Sequence, residues 1–173
     1  MLGSETKVDD ILKGINQSLL RNINYKFQLY GSEALIKKKI EKYKRLIQVS
    51  EIIDCDSFIS MDDKPADIVR TKENSSMYRA IKAVKDNHSD ALLSFGNTGA
   101  LMSLSTLHIK TLEFIRRPAI ASIWPNMLGE SIVLDLGANT KLDARYLIDN
   151  SILGASLAVI LFKIDSPSVG LLN

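Results

Sequence analysis

Short apolar runs that end in glycine-containing turns alternate with amphipathic segments along this chain, and this alternation limits the fold more than any other feature. Runs such as Ala91–Leu93 have the length of strands, whereas the segments between them repeat apolar residues every three or four positions, which is helical spacing. Strands that alternate with helices in this way are typical of α/β folds. The sequence therefore predicts an α/β fold with a largely parallel sheet.

The predicted elements follow from these two periodicities. The predicted helices cover approximately residues 8–20, 33–43, 75–84, 97–109 and 142–162, the last of them interrupted near Gly154. The predicted strands cover approximately residues 25–30, 46–49, 90–94, 119–123, 132–135 and 169–172. A polar and charge-rich connection separates the second strand from the third helix, and long connections of this kind are often functional.

Composition excludes several classes of protein. The net charge is +2 and only 6% of the residues are aromatic, so neither a polyanion-binding surface nor a stacking platform for nucleic acid is expected. Cys55 is the one cysteine, which excludes an internal disulfide, and it is expected to be a small buried apolar residue. The first ten residues are polar and no uninterrupted apolar run approaches ~20 residues, so the expected compartment is the cytoplasm.

Two glycine-containing turns follow predicted strands, at the position where parallel α/β sheets collect ligands. The first runs from Ser94 through Gly96, Asn97 and Thr98 to Gly99. In such a turn glycine allows close approach of the backbone, and free amides at a helix start favour an anion. The residues alone leave two interpretations open: an anion site, or a tight turn whose polar side chains only cap a helix.

The second turn contains Asp135, Gly137 and Asn139 and follows the apolar run Ile132–Leu134. It has the same chemistry as the first turn and carries the same two interpretations. The first turn matches neither a P-loop nor the G-x-G-x-x-G fingerprint of dinucleotide-binding folds, so a nucleotide cofactor has no direct support.

A third candidate feature is the charged connection itself, which contains Asp62, Lys64, Lys72 and Ser75. An aspartate and a lysine placed together could orient and charge-balance an anionic substrate. The alternative is ordinary solvated loop charge. The sequence contains no G-x-S-x-G elbow, no H-E-x-x-H and no Cys–His arrangement, so the positioning of an anion is favoured over a covalent nucleophile and no metal site is expected.

Four segments in this order and spacing, "MDDKPADIVRTKENSSM", "SFGNTGALM", "RRPAI" and "VLDLGAN", resemble the PlsX family of bacterial phosphate acyltransferases in phospholipid synthesis. The resemblance covers essentially the whole chain. It implies transfer of a fatty acyl group from acyl carrier protein to inorganic phosphate, giving acyl phosphate. It also implies a three-layer fold similar to isocitrate and isopropylmalate dehydrogenases without their cofactor, a homodimer, and peripheral association with the membrane.

The resemblance also suggests roles for the candidate residues. The catalytic candidates are Asp62, Lys64 and Asn97, with Lys64 neutralising phosphate and Asp62 orienting it. The candidates for substrate binding are residues whose amides or side chains would contact phosphate or the pantetheine arm, or form the opposing wall of the site: Ser94, Gly96, Thr98, Gly99, Lys72, Ser75, Asp135, Gly137 and Asn139. Lys64 and Lys72 both remain candidates for the key cation.

The chain also departs from this family. The family begins with a strand and a D-A-M-G-G-D turn, continues after V-G-L-L-N into a further lobe, and has V-D-C where this chain has Thr140-Lys141-Leu142. The chain is therefore expected to be one partial PlsX-like domain spanning residues 1–173. Two other functions remain open: a non-catalytic or split-gene fragment that binds a partner lobe or carrier protein, and a phosphotransacetylase-like enzyme acting on acyl-CoA.

Overall fold

The structure is a computed structural model that describes residues 6–21, 24–64, 68, 74–139 and 143–172. The chain divides into two compact units, Met1–Ile109 and Lys110–Asn173. Both units combine helices with strands, so the predicted α/β class is confirmed. Among the described residues, one pair of strands is parallel and the other pair is antiparallel, and the sheets are therefore less uniformly parallel than predicted.

The first unit is built on a two-stranded parallel sheet. Its elements, in chain order, are α1 (Val8–Ser18), β1 (Phe27–Gly31), α2 (Glu33–Ile40), α3 (Lys44–Gln48), β2 (Ser50–Asp54), α4 (Ser76–Lys85) and α5 (Thr98–His108). A short 3₁₀ turn, Leu19–Arg21, extends α1. β1 pairs with β2 from Phe27 opposite Ser50 to Gly31 opposite Asp54.

Two hydrophobic clusters hold this unit together. The first joins α1, α2, α3 and β1 through Leu12, Leu19, Leu29, Ile36, Ile40 and Leu46. The second joins α4 and α5 to the segment before α4 through Ile59, Ile68, Met77, Ile81, Ala100 and Leu104. Helical spacing of the apolar residues explains both clusters, since residues three and four apart share one face of a helix.

Two predicted strands in this unit are wrong. Residues 46–49 fall in helix α3 and the turn after it, where Leu46 is fully buried in the first cluster, and the strand begins only at Ser50. Residues 90–94 belong to no strand. A strand needs a paired backbone, and the backbone of Ala91–Leu93 makes no hydrogen bond with any described residue.

Two serines cap helices in this unit, and the prediction for Cys55 is confirmed. Ser32 and Ser75 cap α2 and α4 by accepting hydrogen bonds from the amides of Leu35 and Tyr78. Cys55 is buried, and burial raises the pKa of its thiol, an effect that nearby Arg79 only partly offsets. A buried thiol with a raised pKa behaves as a small apolar residue, as expected.

The second unit contains an antiparallel hairpin and a long helix. The hairpin strands are β3 (Ser122–Asn126) and β4 (Gly129–Val133), and the helix is α6 (Ala144–Phe162). The predicted strands 119–123 and 132–135 overlap β3 and β4 but are displaced from them. Only Met127 and Leu128 separate the two strands, and so short a connection permits antiparallel pairing alone. Residues 169–172, predicted as a strand, are exposed coil.

Helix α6 is continuous, and the predicted interruption near Gly154 is therefore wrong. A Cβ atom at Gly154 would lie 2.9 Å from Cδ1 of Leu134, so this glycine allows the helix to approach the end of β4 closely. By length and composition, this 19-residue helix is the one helix among the described residues that could cross a membrane, with 22% of it buried. Core helices of soluble proteins meet the same criterion.

Candidate functional site

Asn97 joins two of the sequence motifs in the first unit. Its side-chain amide nitrogen donates to the carbonyl oxygens of Ser60, Met61 and Asp63 at 3.1, 3.1 and 3.0 Å. Its side-chain oxygen accepts from the amide of Ala100 at 3.0 Å, which caps α5. Asn97 is only 8% exposed, so these bonds use a side chain that is nearly buried. These hydrogen bonds therefore connect residues 60–64, the charged loop, to the start of α5, the helix that follows the glycine turn.

The charged loop has its own internal support at Ser60 and Asp63, which the sequence prediction missed. The Asp63 carboxylate accepts from the amide of Ser60 at 2.8 Å, and the amide of Asp62 donates to the Ser60 hydroxyl at 3.3 Å. Short Ser and Asp side chains that bond nearby amides are a known turn signal, so the pair could have been found from its spacing. The turn leaves Asp62 and Lys64 exposed, and neither forms an ion pair with a described residue.

The glycine turn lies at the start of α5. The Ser94 hydroxyl accepts from the amide of Gly96 at 3.2 Å, which closes the turn, and Thr98 is exposed at the first helical position. The described residues supply an acceptor for the amide of Ala100 but none for the amides of Thr98 and Gly99. Free amides at a helix start carry partial positive charge. The structure thus brings the exposed Lys64 loop and these amides into one region through Asn97.

Ser75 and Lys72, predicted for substrate binding, are not part of this exposed region. Ser75 is fully buried at 0% exposure, and its hydroxyl faces the first turn of its own helix α4. In addition, the amide of Ser76 donates to the carbonyl of Ser57 at 3.0 Å, which fixes the loop before the charged turn. Lys72 lies outside the described residues.

A Ser75→Ala substitution is expected to lower the free energy of unfolding by about 1 kcal/mol, the usual cost of losing a helix cap. Urea titration followed by circular dichroism measures this. Ser32→Ala, which removes the cap of α2, is the matched control and is expected to cost a similar amount. If Ser75→Ala left stability unchanged, the cap would not be its main role, and a role in substrate binding would gain support.

In the second unit, Asp135 organises the other glycine-containing turn. One carboxylate oxygen accepts from the amides of Ile120 and Ala138 at 2.9 and 3.2 Å. The other accepts from the Asn139 amide at 2.9 Å, the Asn139 side chain at 3.1 Å and the Tyr146 hydroxyl at 2.9 Å. Five hydrogen bonds therefore converge on one half-buried carboxylate. Asn139 also donates to the carbonyl of Pro118 at 3.0 Å.

These bonds decide the ionisation of Asp135. Burial alone would raise the pKa of the carboxyl, but hydrogen bonds from Ile120, Asn139, Tyr146 and Ala138 outweigh burial and lower it. The carboxylate is thus held in its charged form. Gly137 has a φ of +90°, a conformation that L side chains rarely adopt, which explains the glycine at this point of the turn. Tyr146 was missed by the sequence prediction because a tyrosine in an apolar helix gives no distinct signal.

Arg116, from the segment RRPAI, fastens the chain before β3 to helix α6. Its guanidinium lies 3.1 Å from Asp143, the cap of α6, and 3.3 Å from Asp149, which is 8% exposed. The hydrogen bond to Asp143 is the main reason that the pKa of Arg116 is raised. The RRPAI segment thus stabilises the second unit through the ion pairs of Arg116.

Comparison with known proteins agrees with the resemblance found in the sequence. A family model described as "Fatty acid synthesis protein" matches residues 1–173. A phosphate acyltransferase of Xanthobacter autotrophicus is 42% identical over 99% of this chain and 49% of its own length. Phosphate acyltransferases of Mesorhizobium japonicum and of a Chelativorans species are 45% and 46% identical over 88% of this chain. The chain spans about half the length of the curated relatives that it matches.

Proposed function

We propose, from the premise that this chain belongs to the fatty acid synthesis protein family, that it is part of a phosphate acyltransferase of phospholipid biosynthesis. The reaction would transfer a fatty acyl group from acyl carrier protein to inorganic phosphate and give acyl phosphate. The proposed domain is one PlsX-like domain spanning the chain, with the three-layer arrangement of isocitrate and isopropylmalate dehydrogenases. The proposed surroundings are the cytoplasm or the inner face of the membrane, with a homodimer as the assembled form.

The observation that carries the proposal is the set of three hydrogen bonds from Asn97 to the charged loop. They join the loop that carries the exposed cation Lys64 to the start of α5, where the amides of Thr98 and Gly99 lie. A cation and free amides together can bind an anion without a metal. Phosphate, which the relatives' name "phosphate acyltransferase" contains, is such an anion.

The reaction needs little covalent help from the protein. A phosphate oxygen attacks the thioester carbonyl, the carbon–oxygen bond forms, and the carbon–sulfur bond breaks as the thiolate leaves. The protein must hold phosphate close to the thioester and stabilise the negative charge that develops on the carbonyl oxygen. These are tasks for charges and hydrogen-bond donors, and they do not need a nucleophilic side chain.

Each candidate residue has a place in this scheme. Lys64 would bind phosphate and Asp62 would orient it, with Lys72 as a second candidate cation. Asn97 would act as a positioning residue, because its amide is already bonded to three loop carbonyls. Polar groups of the two glycine turns would contact phosphate or the pantetheine arm of the carrier protein, namely those of Ser94, Gly96, Thr98, Gly99, Asp135, Gly137 and Asn139.

The direct test is phosphate-dependent release of thiol from acyl-acyl carrier protein. The assay uses this chain alone and a chimera in which it replaces the matching half of the Xanthobacter autotrophicus relative. Acyl phosphate formation by the chimera is expected, and a chimera that releases no thiol in excess phosphate would overturn the proposal. Replacing the carrier protein by coenzyme A separates this function from a phosphotransacetylase-like one.

Within the chimera, Lys64→Ala is expected to lower kcat/KM about tenfold, because it removes one exposed cation from the phosphate site. The loss should lie mainly in the KM for phosphate. Lys85→Ala, an exposed lysine at the end of α4, is the control of equal charge change and should leave the rate unaltered. Equal effects of the two substitutions would show that only net charge matters.

A further inference from the structure

Basic side chains are concentrated on helices α2 and α3 and on the turn between them. Residues 33–48 contain six basic side chains and only two acidic ones, so this segment has a net charge of +4, whereas the whole chain has +2. The six are Lys37, Lys38, Lys39, Lys42, Lys44 and Arg45. The small net charge of the chain thus conceals one strongly basic region, and we call residues 37–45 the basic surface.

Acidic neighbours neutralise only part of this charge. Lys37 pairs with Glu33, one turn earlier in α2. Lys39 and Lys42 share a single carboxylate, that of Asp9 on α1. One negative charge between two lysines leaves this part of the surface positive.

The other three cations, Lys38, Lys44 and Arg45, are exposed and form no ion pair with any described residue. Helix geometry explains why two of them point outwards, since two residues correspond to about 200° of rotation around a helix. Lys38 therefore lies opposite the buried Ile40 on α2. Lys44 lies opposite the buried Leu46 on α3 in the same way.

The basic surface lies towards the amino ends of the strands. Helix α2 begins at the carboxyl end of the sheet, where the amide of Glu33 donates to the carboxylate of Asp54, the last residue of β2. From there α2 runs back along the sheet, and α3 leads into β2 at Ser50. The segment that continues to the charged loop leaves the sheet after Asp54, at the opposite edge.

The side chains of the basic surface suit a diffuse layer of negative charge. Five of the six cations are lysines, which are flexible point charges, whereas arginine is the residue that suits fixed, bidentate recognition of carboxylates. Clusters of four to eight basic residues on a helix are typical of surfaces that bind anionic phospholipid. Ile47, which follows in α3 and is 45% exposed, adds an apolar side chain of the kind that enters the boundary between headgroups and acyl chains.

The position of the basic surface favours lipid over the acyl carrier protein as its partner. This step rests on the proposed function, in which the acyl thioester of the carrier protein has to reach phosphate beside the charged loop. A carrier protein bound at the opposite edge of the sheet would hold its thioester away from that phosphate. An anionic membrane at the same edge would leave the proposed site open to the cytoplasm.

We propose that the basic surface binds the anionic phospholipid headgroups of a membrane. The contact is electrostatic, and Lys38, Lys44 and Arg45 are its main cations because no acidic side chain of the described residues neutralises them. Ile47 enters the edge of the acyl layer beside them. The surface takes no part in the transfer of the acyl group.

The test is co-sedimentation of the full chain with vesicles made of equal parts of phosphatidylglycerol and phosphatidylcholine. The chain is expected to bind these vesicles and not vesicles of phosphatidylcholine alone. Binding should be lost in about 0.5 M NaCl, because salt screens exposed charges. Replacing Lys38, Lys44 and Arg45 together by alanine is expected to lower the partition coefficient about 100-fold, since each cation near an anionic membrane contributes a similar factor.

A charge-conserving variant separates charge from fold. Lys38→Arg, Lys44→Arg and Arg45→Lys together should bind the vesicles as the wild type does. If circular dichroism shows that the alanine variant does not fold, Lys38→Glu alone makes the test at an exposed residue with no ion pair to lose, and it should weaken binding about tenfold or more.

A second variant removes the same charge elsewhere. Lys82→Ala, Lys85→Ala and Lys163→Ala together take three exposed lysines from α4 and from the end of α6. This variant should bind the vesicles within about twofold of the wild type, because its substitutions lie outside the basic surface.

The thiol-release assay keeps this proposal apart from the proposed function. In the chimera, the alanine variant of the basic surface should lose vesicle binding and keep its kcat/KM for acyl carrier protein. A chimera that releases no thiol but binds vesicles through the basic surface would overturn the proposed function and leave the membrane contact standing.

Three results would overturn the membrane contact. Equal losses in the two alanine variants would mean that only net charge matters. Equal binding to vesicles with and without phosphatidylglycerol would mean that the contact is not electrostatic. Loss of thiol release in the alanine variant of the basic surface, together with displacement of the wild type from vesicles by acyl carrier protein, would make the surface a docking site for that protein.

Discussion

Asn97→Ala is expected to lower the stability of the first unit by roughly 2–3 kcal/mol and to free the charged loop. The expected cost combines about 1 kcal/mol for the lost helix cap with the cost of removing this donor from three partly buried hydrogen bonds to the loop. Three carbonyls, those of Ser60, Met61 and Asp63, lose the same donor group at once. Urea unfolding followed by circular dichroism measures the loss of stability, and limited proteolysis at residues 60–64 reports the loop.

Asn97→Asp separates the two roles of this side chain. Aspartate caps a helix as well as asparagine does, so the bond to the amide of Ala100 should survive. A carboxylate cannot donate to the three loop carbonyls and would repel them. We therefore expect the helix cap to be retained and the loop to be released, so that proteolysis at residues 60–64 rises as much as in Asn97→Ala.

The activity of the chimera distinguishes a positioning residue from one that touches substrate. If Asn97 acts through the loop, Asn97→Asp and Asn97→Ala should raise the KM for phosphate together, in proportion to loop release. Ser32→Ala removes the cap of α2, in another part of the same unit. It should lower stability by a similar amount and leave the KM for phosphate unaltered. A fall in kcat with an intact loop in either Asn97 variant would instead mean that the amide contacts the reacting groups.

The sequence predicts the position of Asn97 but not its use. The pattern of an apolar run, a glycine turn and a helix is local, and it correctly identifies the start of α5 although the apolar run is not a strand. The partners of the amide nitrogen lie more than thirty residues earlier in the chain, at Ser60, Met61 and Asp63. Periodicity and turn chemistry are short-range signals, so contacts of this kind come only from tertiary structure.

The strand predictions fail for related reasons. Leu46–Val49 has a strand-like composition, but burial of Leu46 against two helices decides in favour of one helical turn. Ala91–Leu93 has strand composition as well, yet pairing decides whether an apolar run becomes a strand. The direction of pairing in the second unit follows from the two-residue connection between β3 and β4, which the displaced boundaries of the predicted strands concealed.

Asp135→Ala is expected to lower the stability of the second unit by roughly 3 kcal/mol, since several donors lose an ionised acceptor together. Among them is the hydroxyl of Tyr146, a residue that is only 3% exposed. Trp124 is the one tryptophan and lies in β3 of the same unit, so its fluorescence during urea unfolding reports this unit specifically. Asp165→Asn, at an exposed aspartate after α6, is the control and should change stability by less than about 0.5 kcal/mol.

The pH dependence of the free energy of unfolding tests whether Asp135 stabilises the second unit through the negative charge of its carboxylate or only through the hydrogen bonds that it accepts. Hydrogen bonds hold the pKa of folded Asp135 below that of the unfolded chain, against the effect of burial. A carboxyl with a depressed pKa stabilises the fold fully above its unfolded pKa, near 3.9, and loses that stabilisation as the pH falls through its folded pKa. The stability difference between the wild type and Asp135→Asn should therefore be constant from pH 5 to 7 and should shrink below about pH 4.

Asp143, whose pKa is also lowered, is common to both proteins and cancels in the difference. A difference that stayed constant down to pH 2.5 would mean that the geometry of the turn, and not the charge of the carboxylate, fixes the segment from Asp135 to Asn139.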